Sequence, residues 1–156
     1  GQLIAMDLYE SKLKQLKIRA KRNGAFNIEP RVIESTKTIK KLHEKADRVL
    51  IDAPCSGLGV LKRNPDSKWK LQPEFIENIK KIQAEVLENY SKIVKPGGKL
   101  VYATCSILPS ENQEQIERFL TTEIGKEFTF VQDRKVLAHE SGFDGFYMAL
   151  LERKNK

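Results

Sequence analysis

The sequence is poor in the residues that mark several classes of protein. Its 156 residues include only two cysteines and one tryptophan, and no apolar run approaches the length of a membrane span. Two cysteines are too few for a disulfide-stapled scaffold. Residues 1–10 lack the basic start and apolar stretch of a secretory leader. We therefore expect a cytoplasmic protein with reduced thiols, no membrane contact and no metal site.

The sequence has fewer acidic residues than basic ones. Lysine and arginine together number 28 against 21 aspartates and glutamates, which gives a formal net charge of +7. Such an excess favours a polyanionic partner, either a nucleic acid or an acidic membrane surface. The basic cluster between Lys12 and Arg22 is also explained by a solvated helix face, and that is the interpretation we favour.

Apolar runs of strand type alternate with segments of helical periodicity. Strands are predicted at residues 3–6, 31–34, 48–52, 99–103, 128–131 and 145–152. Helices are predicted at residues 10–23, within 36–45, at 73–94 and from 110 onward, with Ser11 and Ser110 as N-caps and a turn at 95–98. This order predicts an α/β fold, a mostly parallel sheet with an antiparallel edge, and one domain over residues 1–156.

Both cysteines stand where a predicted strand ends. Cys55 follows the strand at 48–52, which Pro54 breaks, and Cys105 follows the strand at 99–103. Ligands of open α/β sheets bind just beyond the carboxyl ends of the strands. The placement favours a chemical role for the thiols, although buried cysteines are also common as core residues.

Several short motifs resemble those of a known enzyme family. The chain is similar to the RNA (cytosine-5)-methyltransferases of the Sun/Fmu and Nop/NSUN type. The matching residues are Asp52-Ala53-Pro54-Cys55-Ser56-Gly57, Arg63-Asn64-Pro65-Asp66, Lys68-Trp69, Thr104-Cys105-Ser106, Pro109, Glu111, Asn112 and Asp144-Gly145-Phe146-Tyr147.

The resemblance implies a class I, Rossmann-like fold that uses S-adenosylmethionine. It assigns Asp7 to the ribose hydroxyls of the cofactor, and Asp52 and Pro54 to the region where cofactor and target base meet. Family members have an aspartate that contacts adenine where this chain has Glu34-Ser35-Thr36, so the resemblance does not assign that contact here. Their first strand and glycine-rich loop would precede Gly1. We therefore expect the C-terminal part of a catalytic domain, inactive alone, with a break in the sheet between the strands ending at Asp7 and Asp52.

The implied reaction is methylation of carbon 5 of cytosine in RNA, either ribosomal or transfer RNA. In the family, Cys105 is the nucleophile that adds to carbon 6, Cys55 assists its release, and Asp52 binds the ring. Arg63 and Lys68 are the expected substrate contacts. Trp69 either caps the core or packs beside a base.

Three other functions stay open at this point. An amino-methyltransferase of the same fold needs no thiol, so the paired cysteines argue against it. A DNA-type cytosine methylase would use Cys55, after Pro54, as nucleophile. A non-catalytic RNA-binding module would bind without turnover.

Overall fold

A computed structural model describes residues 1–155, which divide into two units, Gly1–Leu42 and the segment from His43 onward. The first unit is a βαβ crossover followed by a short helix. Its elements are β1 (Leu3–Asp7), α1 (Glu10–Arg22), β2 (Ile28–Val32) and α2 (Thr36–Lys40). β1 and β2 pair in parallel, as α/β crossovers do.

Local chemistry explains where the prediction for this unit was right and where it was wrong. α1 ends before Gly24, whose φ of +67° provides the predicted stop. Ser11 is not the N-cap: α1 begins at Glu10, and the Tyr9 N–H donates to Asp7 Oδ1 at 2.8 Å. β2 lies three residues earlier than predicted and contains Pro30, which the sheet tolerates because β2 pairs along one edge only.

The second unit is a four-stranded mixed sheet with helices. The strand order is β3-β4-β6-β5, with β3 parallel to β4 and the other two pairs antiparallel. The predicted α/β fold with an antiparallel edge is confirmed. The strands are β3 (Ala46–Asp52), β4 (Val94–Thr104), β5 (Phe128–Val136) and β6 (Phe146–Arg153). The helices are α3 (Ser67–Lys70), α4 (Pro73–Ser91), α5 (Gln113–Thr121) and α6 (Ala138–Ser141).

The core of this unit lies between the sheet and the helices α4 and α5. Its fully buried apolar side chains include Leu100, Tyr102, Tyr147 and Leu151 from the sheet and Leu87 from α4. Tight packing of this kind fixes the strand ends that carry the cysteines. None of the helices in residues 1–155 combines the length and the apolar character needed to cross a bilayer.

Several boundaries in this unit differ from the sequence prediction, and β5 extends to Val136 rather than ending at residue 131. α4 ends at Ser91, and β4 starts at Val94, so the predicted turn at 95–98 is part of a strand. Those four residues bulge opposite Asp47, because Val94 pairs with Ala46 and Lys99 with Arg48. Ser110 is not an N-cap either, since it lies in a 3₁₀ turn and α5 begins at Gln113.

The strands that end at Asp7 and Asp52 belong to separate sheets. Within the described residues, β1 pairs only with β2 and β3 only with β4.

A buried arginine joins the ends of several elements in the second unit. Arg153 is 5% exposed; it donates to Glu127 Oε2 at 2.9 Å, to Glu44 Oε1 at 2.8 Å and to the carbonyl of Val94. A buried charge with this many partners is costly to disrupt on one side only.

We expect Arg153→Met to lower the free energy of unfolding by about 3 kcal/mol, because it leaves the Val94 carbonyl and two carboxylates without their donor. Lys99→Met is the matched control, since Lys99 and Glu152 form an exposed pair at 4.0 Å and should contribute under about 1 kcal/mol. Urea unfolding followed by circular dichroism measures both. Equal losses for the two variants would contradict the role of Arg153.

Candidate active site

Parallel pairing of β3 and β4 brings the two cysteines together. Asp52 pairs with Ala103 at the strand ends, and the Ala53 N–H continues the ladder to the Ala103 carbonyl at 2.9 Å. Just beyond, Cys55 Sγ and Cys105 Sγ lie 3.2 Å apart. Both are free, partly exposed thiols. The separation exceeds a disulfide bond and suits a hydrogen bond between the two sulfurs.

This sulfur–sulfur contact makes the two thiols unequal. The hydrogen bond between the two sulfurs lowers the pKa of Cys105 to about 7, against the opposing effects of burial and of the negative charges of Asp52 and Glu111. The same hydrogen bond, together with burial, raises the pKa of Cys55. Cys105 is therefore the first of the two thiols to ionise as the pH rises, and Cys55 is the one that stays protonated. The thiolate is the nucleophilic form of cysteine.

A fully buried carboxylate binds both of the loops that carry these cysteines. Glu111 Oε2 accepts from the Ser56 N–H and from Gln83 Nε2, each at 2.8 Å. Glu111 Oε1 accepts from Ser106 Oγ at 2.6 Å. The hydroxyls of Ser56 and Ser106 also lie 3.2 Å apart. Each serine directly follows a cysteine, so the network joins the Cys55 loop (residues 53–58) to the Cys105 loop (residues 104–108).

The Cys105 loop has a second set of internal hydrogen bonds. Thr104 Oγ1 donates to Asn112 Oδ1 at 2.5 Å, and Asn112 Nδ2 donates to the Ser106 carbonyl at 2.9 Å. The Ser106 N–H donates to Thr104 Oγ1 at 3.2 Å. Thr104, Ser106 and Asn112 are all buried, which holds the loop in one conformation.

The segment around Gly145 also meets the cysteine loops, through a close contact between Gly59 and Gly145. The Gly59 N–H donates to the Cys105 carbonyl at 2.9 Å, and the Gly145 N–H donates to the Gly59 carbonyl at 2.7 Å. A Cβ on Gly59 would lie 2.1 Å from the Gly145 carbonyl oxygen. Arg63 and Asp144 add an ion pair at 2.6 Å between the same segments. The motif residues at 55–63, 104–112 and 144–147 thus meet in one place.

The remaining predicted residues of this unit lie on its exposed surface. Asp52 is exposed, and its carboxylate has no hydrogen bond or ion pair within the described residues, although its charge acts on Cys105. Pro54 is exposed as well, and its carbonyl accepts from Gln83 Nε2 at 2.8 Å. Asp52 therefore has free acceptor capacity beside the thiols.

Trp69 does not cap the core. It lies on the short helix α3 with 76% of its surface exposed, and Lys68 Nζ stands 4.7 Å from the centre of its ring. Arg63, the other predicted substrate contact, is exposed and paired with Asp144. The segment from Arg63 to Lys70 therefore presents an aromatic face and basic side chains to solvent.

Asp7 lies in the first unit, at the carboxyl end of β1. Its Oδ1 accepts from the Tyr9 N–H, and its Oδ2 is 3.4 Å from Lys12 Nζ. This carboxylate thus shapes the turn into α1 while remaining partly exposed. No group of three or more histidine, cysteine or acidic side chains within residues 1–155 could hold a metal ion.

Sequence reasoning named most of the residues that meet here but missed Gln83. It quoted Glu111 as part of a motif and gave it no role. A signal for Gln83 was present: it occupies the position between Ile79 and Leu87 on the buried face of α4, where the pattern calls for an apolar residue.

Comparison with known proteins assigns this chain to a family. The model of the family 16S rRNA methyltransferase RsmB/F matches residues 1–152. The chain belongs to the RsmB/F family. Ribosomal RNA small subunit methyltransferase B of Vibrio vulnificus is 36% identical to it over 160 residues, which cover 98% of this chain and 37% of the relative. The enzyme of the same name from Shewanella oneidensis is 44% identical over 116 residues, which cover 69% and 27%. This RsmB/F-family chain thus spans about a third of the length of its curated relatives.

Solved structures agree with the RsmB/F assignment. PH0851 superposes with a TM-score of 0.91 at 34% identity, over 98% of this chain and 37% of that protein. NSun6 of Pyrococcus horikoshii, solved with SFG, gives 0.84 at 24% identity, over 100% and 42%. A putative SAM-dependent methyltransferase of Streptococcus mutans gives 0.62 at 13% identity, over 97% and 38%. The fold is that of the SAM-dependent methyltransferases.

The unequal pKa values predict that iodoacetamide modifies Cys105 well before Cys55. The rate at Cys105 should rise with pH through a midpoint near 7, because thiolate forms as the pH passes the pKa of about 7. Cys55 should stay largely unmodified over the same range, since its pKa is raised. Peptide mapping after timed alkylation measures both. Faster modification of Cys55 would reverse the assignment.

We expect Gly59→Ala to lower the free energy of unfolding by about 1–3 kcal/mol and to change the alkylation rate of Cys105, because the new methyl group would collide with the Gly145 and Cys105 carbonyls. Gly142→Ala is the control: its φ of +74° strains alanine, but no atom lies within 4 Å. That variant should lose some stability and keep the alkylation rate. A normal rate in Gly59→Ala would show that the glycine contact does not shape the Cys105 loop.

Proposed function

We propose that the protein containing this chain methylates carbon 5 of a cytosine in ribosomal RNA of the small subunit, through a covalent adduct on Cys105. The observation that carries the proposal is the pair of free sulfurs 3.2 Å apart, and the lowered pKa of Cys105 supports it. Membership of the RsmB/F family and the names of its curated relatives support ribosomal over transfer RNA, and hence a cytoplasmic enzyme.

Cys105 supplies the nucleophile that this reaction needs. Carbon 5 of cytosine is a weak nucleophile until a bond forms between Cys105 Sγ and carbon 6. The electrons of the 5,6 double bond then become available at carbon 5. S-adenosylmethionine, when bound, supplies the methyl group. Loss of the carbon 5 proton restores the double bond and expels Cys105 as a thiolate.

Cys55 is suited to assist that last step. Its sulfur lies within hydrogen-bonding distance of Cys105 Sγ, and the hydrogen bond that lowers the pKa of Cys105 also stabilises Cys105 as a leaving group. In the alternative, DNA-type assignment, Cys55 would be the nucleophile. The raised pKa of Cys55 disfavours that assignment.

Asp52 and Pro54 are proposed to bind the target base beside the thiols. Asp52 is at the end of β3, exposed and without a partner in the described residues, so its carboxylate is free to bind the cytosine edge. A hydrogen bond there would stabilise the charge that develops on the ring as Cys105 adds. Pro54 directly precedes Cys55 and leaves a flat apolar surface exposed.

The cofactor proposal is S-adenosylmethionine, which the fold is built to bind. The candidate contacts within the second unit are Asp52 and Pro54. The first unit, taken by itself, offers Asp7. Asp7 fits a hydroxyl-binding role because a carboxylate accepts several hydrogen bonds and its side chain is 29% exposed. Its contacts with Tyr9 and Lys12 leave acceptor capacity for ribose.

The RNA is proposed to cross the segment that carries Arg63, Lys68 and Trp69. Basic side chains neutralise phosphates, and an exposed indole offers a stacking surface for an unpaired base. A target base must leave its stack to reach the two thiols, so an unpaired or remodelled region of RNA is the expected substrate.

Substitution of each cysteine tests the mechanism in a full-length protein that contains this chain. Cys105→Ala should form no protein–RNA adduct and transfer no methyl group, because the attacking sulfur is gone. Cys55→Ala should still attack and methylate, although more slowly because Cys105 loses the hydrogen bond that lowers its pKa, and it should accumulate an adduct that survives denaturation because release is slowed further. Denaturing gels with labelled RNA, together with a methyl-transfer assay, separate the two results.

Ser141→Ala, an exposed residue of α6, serves as the control and should behave like the unsubstituted protein. An adduct with Cys105→Ala and none with Cys55→Ala would support the DNA-type alternative. Full turnover by both cysteine variants would eliminate covalent catalysis. RNA binding without methyl transfer by the unsubstituted protein would favour the non-catalytic module.

A further inference from the structure

We propose that Glu111 is a positioning residue, which holds the sulfurs of Cys55 and Cys105 in hydrogen-bonding distance by binding both of the loops that carry them. The importance of this arrangement for turnover rests on the proposed function. The arrangement itself is a property of the thiol pair and can be measured without RNA or cofactor.

The geometry of the carboxylate supports this role. Glu111 is completely buried, and its two oxygens divide between the loops: Oε2 accepts from the Ser56 N–H and Oε1 from Ser106 Oγ. Glu111 has no hydrogen bond to either sulfur in the residues described, so it acts through the serine that follows each cysteine.

Burial of this carboxylate costs free energy unless hydrogen bonds compensate for the lost hydration. Within residues 1–155 no basic side chain forms an ion pair with it, and three neutral donors satisfy it instead. An isolated charge inside a protein is tolerated only when its hydrogen bonds are made. All three hydrogen bonds of the Glu111 carboxylate go to the two cysteine loops and to α4, which indicates that Glu111 fixes the geometry of these elements.

Rigid elements in turn fix Glu111. Its carbonyl accepts from the hydroxyl of Tyr102, a fully buried residue of β4, at 2.8 Å. Gln83, fully buried on α4, donates from one nitrogen to both Glu111 Oε2 and the Pro54 carbonyl, each at 2.8 Å. Cys55 is therefore held on both sides, through Pro54 by Gln83 and through Ser56 by Glu111.

Glu111 would change the pKa of Cys105 in opposite directions by its charge and by positioning the sulfurs, which makes the proposal testable. The negative charge of Glu111 raises the pKa of Cys105, whereas the hydrogen bond from Cys55 lowers it more strongly. If Glu111 acted only by its charge, Glu111→Gln would lower the pKa of Cys105. If it positions the sulfurs, the same change separates them and the pKa rises. The other charge that acts on Cys105, that of Asp52, is the same in both cases.

The experiment is the pH profile of Cys105 alkylation by iodoacetamide in this chain, with peptide mapping and circular dichroism as the check of folding. For Glu111→Gln we expect the midpoint to rise from near 7 toward the free-thiol value of about 8.5, with about tenfold slower alkylation at pH 7. Glu114→Gln is the matched control, because Glu114 is exposed in the first turn of α5, and its profile should not change.

A midpoint that falls or stays in place in Glu111→Gln would overturn the proposal. If that variant does not fold, Ser106→Ala decides, since it removes one donor to Glu111 and should raise the midpoint by a smaller amount; no change there would also overturn it. Methyl transfer by the full-length protein is measured separately. A raised midpoint alongside an unsubstituted protein that transfers no methyl group would support positioning and reject the proposed function.

Discussion

The contact between Cys55 Sγ and Cys105 Sγ is the constraint on which the site depends. A separation of 3.2 Å is short enough for a hydrogen bond between the sulfurs, which lowers the pKa of Cys105, and too long for a disulfide bond. Without that contact the pKa of Cys105 would lie nearer that of a free thiol, which is mostly protonated at neutral pH. Parallel strands supply the approximate distance, and the hydrogen bonds beyond the strand ends set the remainder.

The sequence was sufficient to predict the strand ends and the residues on them. An apolar run precedes Asp52 and another precedes Cys105, and Pro54 breaks the first of them. These local patterns predict where each strand ends and therefore where the two thiols lie. Other local signals were ambiguous. Pro96-Gly97-Gly98 has the composition of a turn, but the same residues also suit a bulge, and only pairing with β3 decides between them.

The hydrogen-bond network could not be predicted in the same way. Gln83 and Glu111 are far from each other in sequence, and each looks like an ordinary helix or turn residue until α4 packs against the strand ends. The one visible hint was a glutamine on the apolar face of α4. The pKa difference between the cysteines could not be predicted either, because it depends first on the hydrogen bond between the two sulfurs and then on their burial, which are properties of the packed protein.

The strand order has a consequence for how the site is made during synthesis. β6 comes after β3, β4 and β5 in the chain, yet it lies between β4 and β5 in the sheet. Until the ribosome has produced residues 146–153, β5 has no partner and β4 has an open edge, while Gly145 has not yet reached Gly59. Proteins fold as their N-terminal parts emerge first, so both cysteines are exposed on a nascent chain before their surroundings exist. The two thiols therefore reach their final surroundings only after β6 has been synthesised.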